Sequence, residues 1–258
     1  MLKLRVLTSI LLAPLILWVL LAAPYWGWGL FLGAVVTLGA WEWTTLMQWS
    51  SRLARLGYAT LLALLVAFSL AGLERNADWA VIITGIAVLF WGWALLEMIL
   101  VRDIQDGWQV APWFRPLGGL LVLYPAWLAL MLLRLEPKGE WLTFYFLFLV
   151  WGGDVGAYFA GHQFGRHKLA PSVSPGKTWE GVMGGMAMAA VVAVIAGFFG
   201  FHQNGPSLLG WIVLALITAL VSVLGDLHES RMKRVVGVKD SGTLIPGHGG
   251  MLDRVDSL

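Results

Sequence analysis

The chain has 258 residues, 59% of them hydrophobic and only 12% charged, with a formal net charge of +2. A soluble domain of this length cannot hide that much apolar surface in one core, and low charge with many aromatics excludes disorder. The absence of Cys excludes disulfides, thiol nucleophiles and Cys-based metal or redox centres.

What remains is an all-α, polytopic membrane helical bundle. Apolar runs long enough to cross about 30 Å of hydrocarbon predict eight spans. They lie near 7–23, 28–47, 56–73, 79–100, 117–134, 141–161, 181–200 and 207–225. The first follows Lys3 and Arg5 and ends in Ala22-Ala23, like a signal peptide, but seven further spans make it a retained helix. Pro24–Gly27 then forms a tight link to the second. Sixteen Trp suit the two membrane–water interfaces.

The basic residues orient the bundle. With the N-terminus inside, 14 of the 17 Lys and Arg fall on the cytoplasmic side, and only Arg75, Arg134 and Lys138 on the other. That asymmetry predicts that both termini are cytoplasmic. No linker or composition shift marks a soluble domain, so 1–258 reads as one membrane domain with its catalytic half at about 145–258.

Polar sequence concentrates in two stretches, 151–180 and 225–256. In the first, Asp154 sits within or at the end of a span, where an ionisable group is costly and usually functional. Gly152, Gly153, Gly156 and Gly161 leave room for close helix packing or for a ligand. Ser174-Pro175-Gly176-Lys177-Thr178 then leads into an apolar helix with Glu180 near its start. A Gly-containing turn, a Lys and a helix N-terminus suit a phosphate, although an ordinary helix cap with a loop Lys has the same composition. The Walker A pattern is not matched.

The second stretch carries Asp226, Ser230, Lys233-Arg234, Lys239-Asp240, His248-Gly249-Gly250, Asp253-Arg254 and Asp256. Asp253 and Asp256 stand at i,i+3 and would share a helical face. Asp226, closing the eighth span, could approach the same point. Hard oxygen ligands of this kind suit Mg²⁺, which is held by one or two carboxylates plus substrate phosphates. Lys233, Arg234, Lys239 and Arg254 around the acids suit a metal–polyphosphate site. Attraction to anionic headgroups is the plainer alternative for the basic residues.

These residues resemble the phosphatidate cytidylyltransferases, or CDP-diacylglycerol synthases. The family pattern is S-x-x-K-R, four residues, K-D, a Gly/Ser/Ala-containing turn, then H-G-G-x-x-D-R-x-D. It is met from Ser230 to Asp256, and S-P-G-K-T-W-E-G is met from Ser174 to Gly181. The resemblance is sharp over roughly the last 110 residues. It implies transfer of CMP from CTP to phosphatidic acid, with Mg²⁺, a monovalent cation such as K⁺ beside it, and a homodimer in a bacterial inner membrane. No nucleic-acid partner is implied. Carried over, Asp226, Asp253 and Asp256 match metal-binding acids, and Lys233, Arg234, Lys239 and Arg254 match basic catalytic positions. Asp154, Ser174, Lys177, Ser230, Asp240 and His248 are candidates for substrate binding. His228 and Val155 depart from common family choices, and family chains carry one more apolar span after Asp256-Ser257-Leu258.

The sequence offers two rival readings. A CDP-alcohol phosphotransferase needs D-x-x-D-G-x-x-A-R-x₈-G-x₃-D-x₃-D, a string that does not occur. A transporter would use Glu42, Glu97 and Asp154 as intramembrane sites, but the crowding of polar residues into two stretches opposes it.

Overall fold

The computed structural model describes residues 10, 14–100, 114–245, 247 and 249–258. Lys3, Arg5, part of the first expected span and His248 lie outside them. The chain divides into two compact units, one of residues 1–143 with 232–255, the other of 144–231 with 256–258.

In the first unit, a helical stretch at 14–22 (α1) precedes α2 (Tyr25–Leu46), α3 (Arg52–Gly72), α4 (Asp78–Leu100) and α5 (Phe114–Leu135). α2 packs on α3 and α5, and α4 packs on α5. Small residues set these contacts. A Cβ on Gly33 would lie 2.6 Å from Val66 of α3, and one on Gly29 would lie 2.9 Å from Met131 of α5. Without a hydrophobic drive between helices in lipid, such close approach supplies the packing. Trp127, fully buried, donates from Nε1 to the Gly29 carbonyl at 3.0 Å. Arg134 is also buried, and its guanidinium donates to the Leu20 and Ala23 carbonyls at 2.8 and 3.0 Å. It thereby satisfies carbonyls at the end of α1 that helix geometry leaves without partners.

The second unit holds most of α6 (Gly139–Phe164), a hairpin of β1 (Lys168–Ala170) and β2 (Ser174–Thr178), α7 (Trp179–Ile195) with a π turn at Ala196–Gly200, and most of α8 (Gly205–Val235). The glycines of 152–161 serve packing. Gly156 faces the Gly184 carbonyl, where a Cβ would approach to 2.7 Å, and Gly185 faces the Gly153 carbonyl. Leu149 of α6, Ala189 and Ala193 of α7 and Ala215 and Ala219 of α8 form a buried cluster.

Helices coincide with seven of the expected spans and with the described part of the first, 14–22. Six of them are long and apolar enough to cross a membrane by length and composition. α2 falls outside those six because four Trp, four Gly and Glu42 dilute its hydropathy. The helix that carries the eighth span runs beyond the span itself. The spacing predicts an end near 225, but α8 continues to Val235. No Gly or Pro interrupts Asp226–Val236, and the first breaker is Gly237. Thirty-one residues reach about 46 Å, beyond a hydrocarbon core of about 30 Å, so the polar end of α8 stands clear of the core.

Candidate active site

Each unit carries one polar cluster. In the second, Lys177 and Asp226 meet: Nζ lies 2.5 Å from Oδ2, with the side chains 24% and 30% exposed. The other oxygen of Asp226 accepts from the Ser230 hydroxyl, one turn along α8, at 3.2 Å. Asp154 lies within electrostatic reach of both Lys177 and Asp226. It accepts from the Ser257 hydroxyl at 3.1 Å, and that hydroxyl also reaches Asp256 at 3.5 Å. Asp256 is drawn close because residue 225 is Gly; a Cβ there would come within 2.5 Å of the Asp256 carbonyl oxygen. Five expected site residues, Asp154, Lys177, Asp226, Ser230 and Asp256, thus share one neighbourhood.

The segment before α7 differs from its expectation. Ser174–Thr178 is not a phosphate-wrapping turn but an extended strand, paired antiparallel with Lys168–Ala170, with Ser174 opposite Ala170. The N-terminus of α7 is also taken. Thr178 caps it by accepting from Gly181 N–H at 3.1 Å, and Trp179 N–H donates to the His167 carbonyl at 2.9 Å. Glu180 accepts from the backbone N–H groups of Arg166 and His167 and pairs with the His167 ring at 2.6 Å. These bonds fix the hairpin, from which the Lys177 ammonium reaches Asp226.

In the first unit, Asp253 is the hub. It is the middle residue of the short 3₁₀ turn Leu252–Arg254, not part of the regular helix that the i,i+3 spacing with Asp256 suggests. Its Oδ1 accepts from Lys233 Nζ at 2.7 Å, and both side chains are almost fully buried. Ser241 N–H reaches both carboxylate oxygens at 3.1 and 3.0 Å, and Gly250 N–H reaches Oδ2 at 2.8 Å. Burial alone would push this carboxyl up, but Lys233 and the backbone donors outweigh it and hold Asp253 below the ordinary carboxylate range. Arg234 donates to the Val238 carbonyl at 3.3 Å, while Lys239, Asp240 and Arg254 are exposed.

One residue gains a partner set that the sequence does not reveal. Glu42, 2% exposed on α2, accepts from the Ser241 hydroxyl at 3.2 Å and from Leu252 N–H at 2.9 Å. An acid between two Trp marks the position as unusual, but nothing in the sequence says that residues about 200 positions away surround it.

The acids were tested for a divalent cation. Their hard oxygens suit Mg²⁺ chemically. Among the described residues no three or more His, Cys, Asp or Glu stand ready as a cage, and Mg²⁺ does not require one when phosphates complete its shell. Asp226, partly exposed with Asp154 and Asp256 nearby, fits that mode. Asp253 is held by Lys233 and two backbone N–H groups, as Asp226 is held by Lys177 and Ser230, so a cation at either acid would displace one of these donors.

The whole chain can be compared with known proteins. A model of the cytidylyltransferase family matches residues 3–258. The chain is 43% identical over 260 residues to a phosphatidate cytidylyltransferase of Pseudomonas aeruginosa, covering all of this chain and 93% of that protein. It is 41% identical over 276 residues to a protein of the same name in Haemophilus influenzae, covering all of this chain and 95% of that one. A third, in Brucella suis, is 37% identical over 268 residues and 89% covered.

Proposed function

This chain belongs to the cytidylyltransferase family, and we propose the following roles for its charged residues in the reaction. It is a membrane-embedded phosphatidate cytidylyltransferase, which transfers CMP from CTP to phosphatidic acid and releases pyrophosphate. The observation that carries this reading is the end-to-end similarity to proteins of that name.

In the reaction, a phosphate oxygen of phosphatidate attacks the α-phosphorus of CTP. The new P–O bond forms as the bond to the β-phosphate breaks, and pyrophosphate leaves with that electron pair. Phosphatidate is anionic at neutral pH, so no strong general base is needed. The demand is to bring two anions together, which requires positive charge placed in advance. Lys177 and Lys233 are each held by a carboxylate, and we assign them to the phosphates of the substrates. Arg234, Lys239 and Arg254 add exposed positive charge in the first unit. Asp226, Asp253 and Asp256 are assigned to Mg²⁺, which when bound neutralises phosphate charge; K⁺ beside it is part of the same proposal.

Ser174, Ser230, Asp154, Asp240 and His248 are assigned to substrate binding or to orienting the groups above. The 14-to-3 distribution of basic residues supports cytoplasmic termini in a bacterial inner membrane, and a homodimer is proposed from the same resemblance. The test is nucleotide choice by purified protein with phosphatidate. CTP is expected to be used in preference to ATP, GTP and UTP, and equal use of all four would refute the assignment.

A further inference from the structure

We infer that Glu42 is a positioning residue: through hydrogen bonds to Ser241 and Leu252 it clamps both ends of the 241–252 loop, and so holds Asp253 and Lys233 in place. The inference rests on the assignment of Lys233 to substrate phosphates, but its geometry stands apart from that assignment. The two donors to Glu42, the Ser241 hydroxyl and Leu252 N–H, lie at opposite ends of the loop. Each is beside a group that Asp253 uses. Ser241 also gives its N–H to Asp253, and Leu252 precedes Asp253 in the chain.

The glycines around the carboxylate fit the same role. A Cβ on Gly242 would run into Oε1 of Glu42, and one on Gly250 would come within 2.6 Å of Oε2. The loop therefore closes on the carboxylate from two sides, with no room for side chains there. Leu252 completes the seat. It is 4% exposed, and its side chain lies against Gly39 of α2, where a Cβ would meet it at 3.0 Å. A helix thus presents an acceptor and a socket to the residues at the two ends of this segment. Sites are placed more accurately by such a scaffold than by a free loop.

This role differs from the ion-carrying role that an intramembrane acid suggests. A clamp needs an acceptor of the right shape, whereas a carrier needs a charge that comes and goes. Among the described residues no donor hydrogen-bonds Oε1, and both donors of the clamp reach Oε2. Gln keeps one acceptor oxygen at nearly the same volume. Ala removes it and leaves the Leu252 N–H and Ser241 hydroxyl buried without a partner, which is costly.

The experiment uses the full-length chain, which contains no Cys. A single reporter, Thr243→Cys, is placed at an exposed loop position. Maleimide labelling rate and CTP turnover are then measured with Glu42 intact and in Glu42→Gln, Glu42→Ala and Ser241→Ala. Far-UV circular dichroism checks that the helices persist. Glu42→Gln is expected to stay within about threefold of the parent on both readouts. Glu42→Ala should lower kcat on the order of tenfold or more and speed labelling by a similar factor. Ser241→Ala, which deletes one of the two donors, should fall between them and serves alone if Glu42→Ala does not fold.

Parent-like labelling in both alanine variants would overturn the inference. So would a Gln variant as damaged as Ala, because charge would then be what matters. A parent protein inactive on CTP and phosphatidate would sink the proposed function, while labelling would still report on the clamp.

Discussion

Replacing Asp253 by Asn keeps the side chain's size and removes its charge. The carboxylate accepts from Lys233 and Ser241 N–H on one oxygen and from Ser241 N–H and Gly250 N–H on the other. An Asn amide must turn its NH₂ toward one of these sets, so donor meets donor in either orientation. Both side chains of the ion pair are under 10% exposed, so solvent does little to soften the loss. Removing one partner of a buried pair typically costs about 3–5 kcal/mol. If that cost falls on the loop that positions Lys233, kcat/KM should drop by roughly 10²- to 5 × 10³-fold. Lys233→Met should cause a comparable loss, and the double variant should be little worse than either single. The assay is CTP turnover by the four proteins of this double-mutant cycle, each shown to retain its helical circular dichroism. Losses that multiply would mean that the two groups act independently, which would refute the pair as a unit.

The pH response has a definite sign. Because Asp253 is held below its ordinary value, its stabilising effect is complete above the unfolded value of about 3.9. That effect is lost only as pH falls through the lower folded-state value. The pH–rate profile should therefore show no inflection from Asp253 between pH 5 and 8; an inflection there that disappears in Asp253→Asn would contradict the assignment.

Other outcomes can be checked directly. Lys177→Ala should raise KM for CTP on folded protein, because it removes the ammonium held by Asp226; unchanged kinetics would leave the hairpin a purely structural role. Gly156→Val should destabilise the second unit by about 1–3 kcal/mol or more, since its Cβ would press on the Gly184 carbonyl and Met188. A thermal melt in detergent like that of the parent would count against the close α6–α7 seam. Chelation of divalent cations should abolish turnover and added Mg²⁺ should restore it, while full activity in excess chelator would remove the metal from the account.

Much of this was legible in the sequence, because the constraints were local. Hydrocarbon thickness fixes the length of an apolar run, so the spans could be placed within a few residues. The glycines of 152–161 carried both a packing and a ligand reading, and the partner that decides between them, Gly184 on α7, comes later in the chain. α8 outruns its apolar run because polarity marks only where a membrane span ends, whereas the helix itself continues until Gly237. Ser174–Thr178 looked like a turn from its Pro and Gly. Its strand pairing depends on Lys168–Ala170, a short segment with no period long enough to read. Glu42 was visible as an oddity, but its partners come from the far end of the chain, and no local pattern encodes a contact of that kind.

The most direct test of the central claim follows the two ends of CTP separately. Purified protein is given phosphatidate and CTP labelled at either the α- or the γ-phosphate. CMP transfer predicts that the α label moves into the lipid extract, while the γ label stays in the aqueous phase as pyrophosphate, in equal amounts. A γ label in the lipid, or no lipid label from either nucleotide, would contradict it.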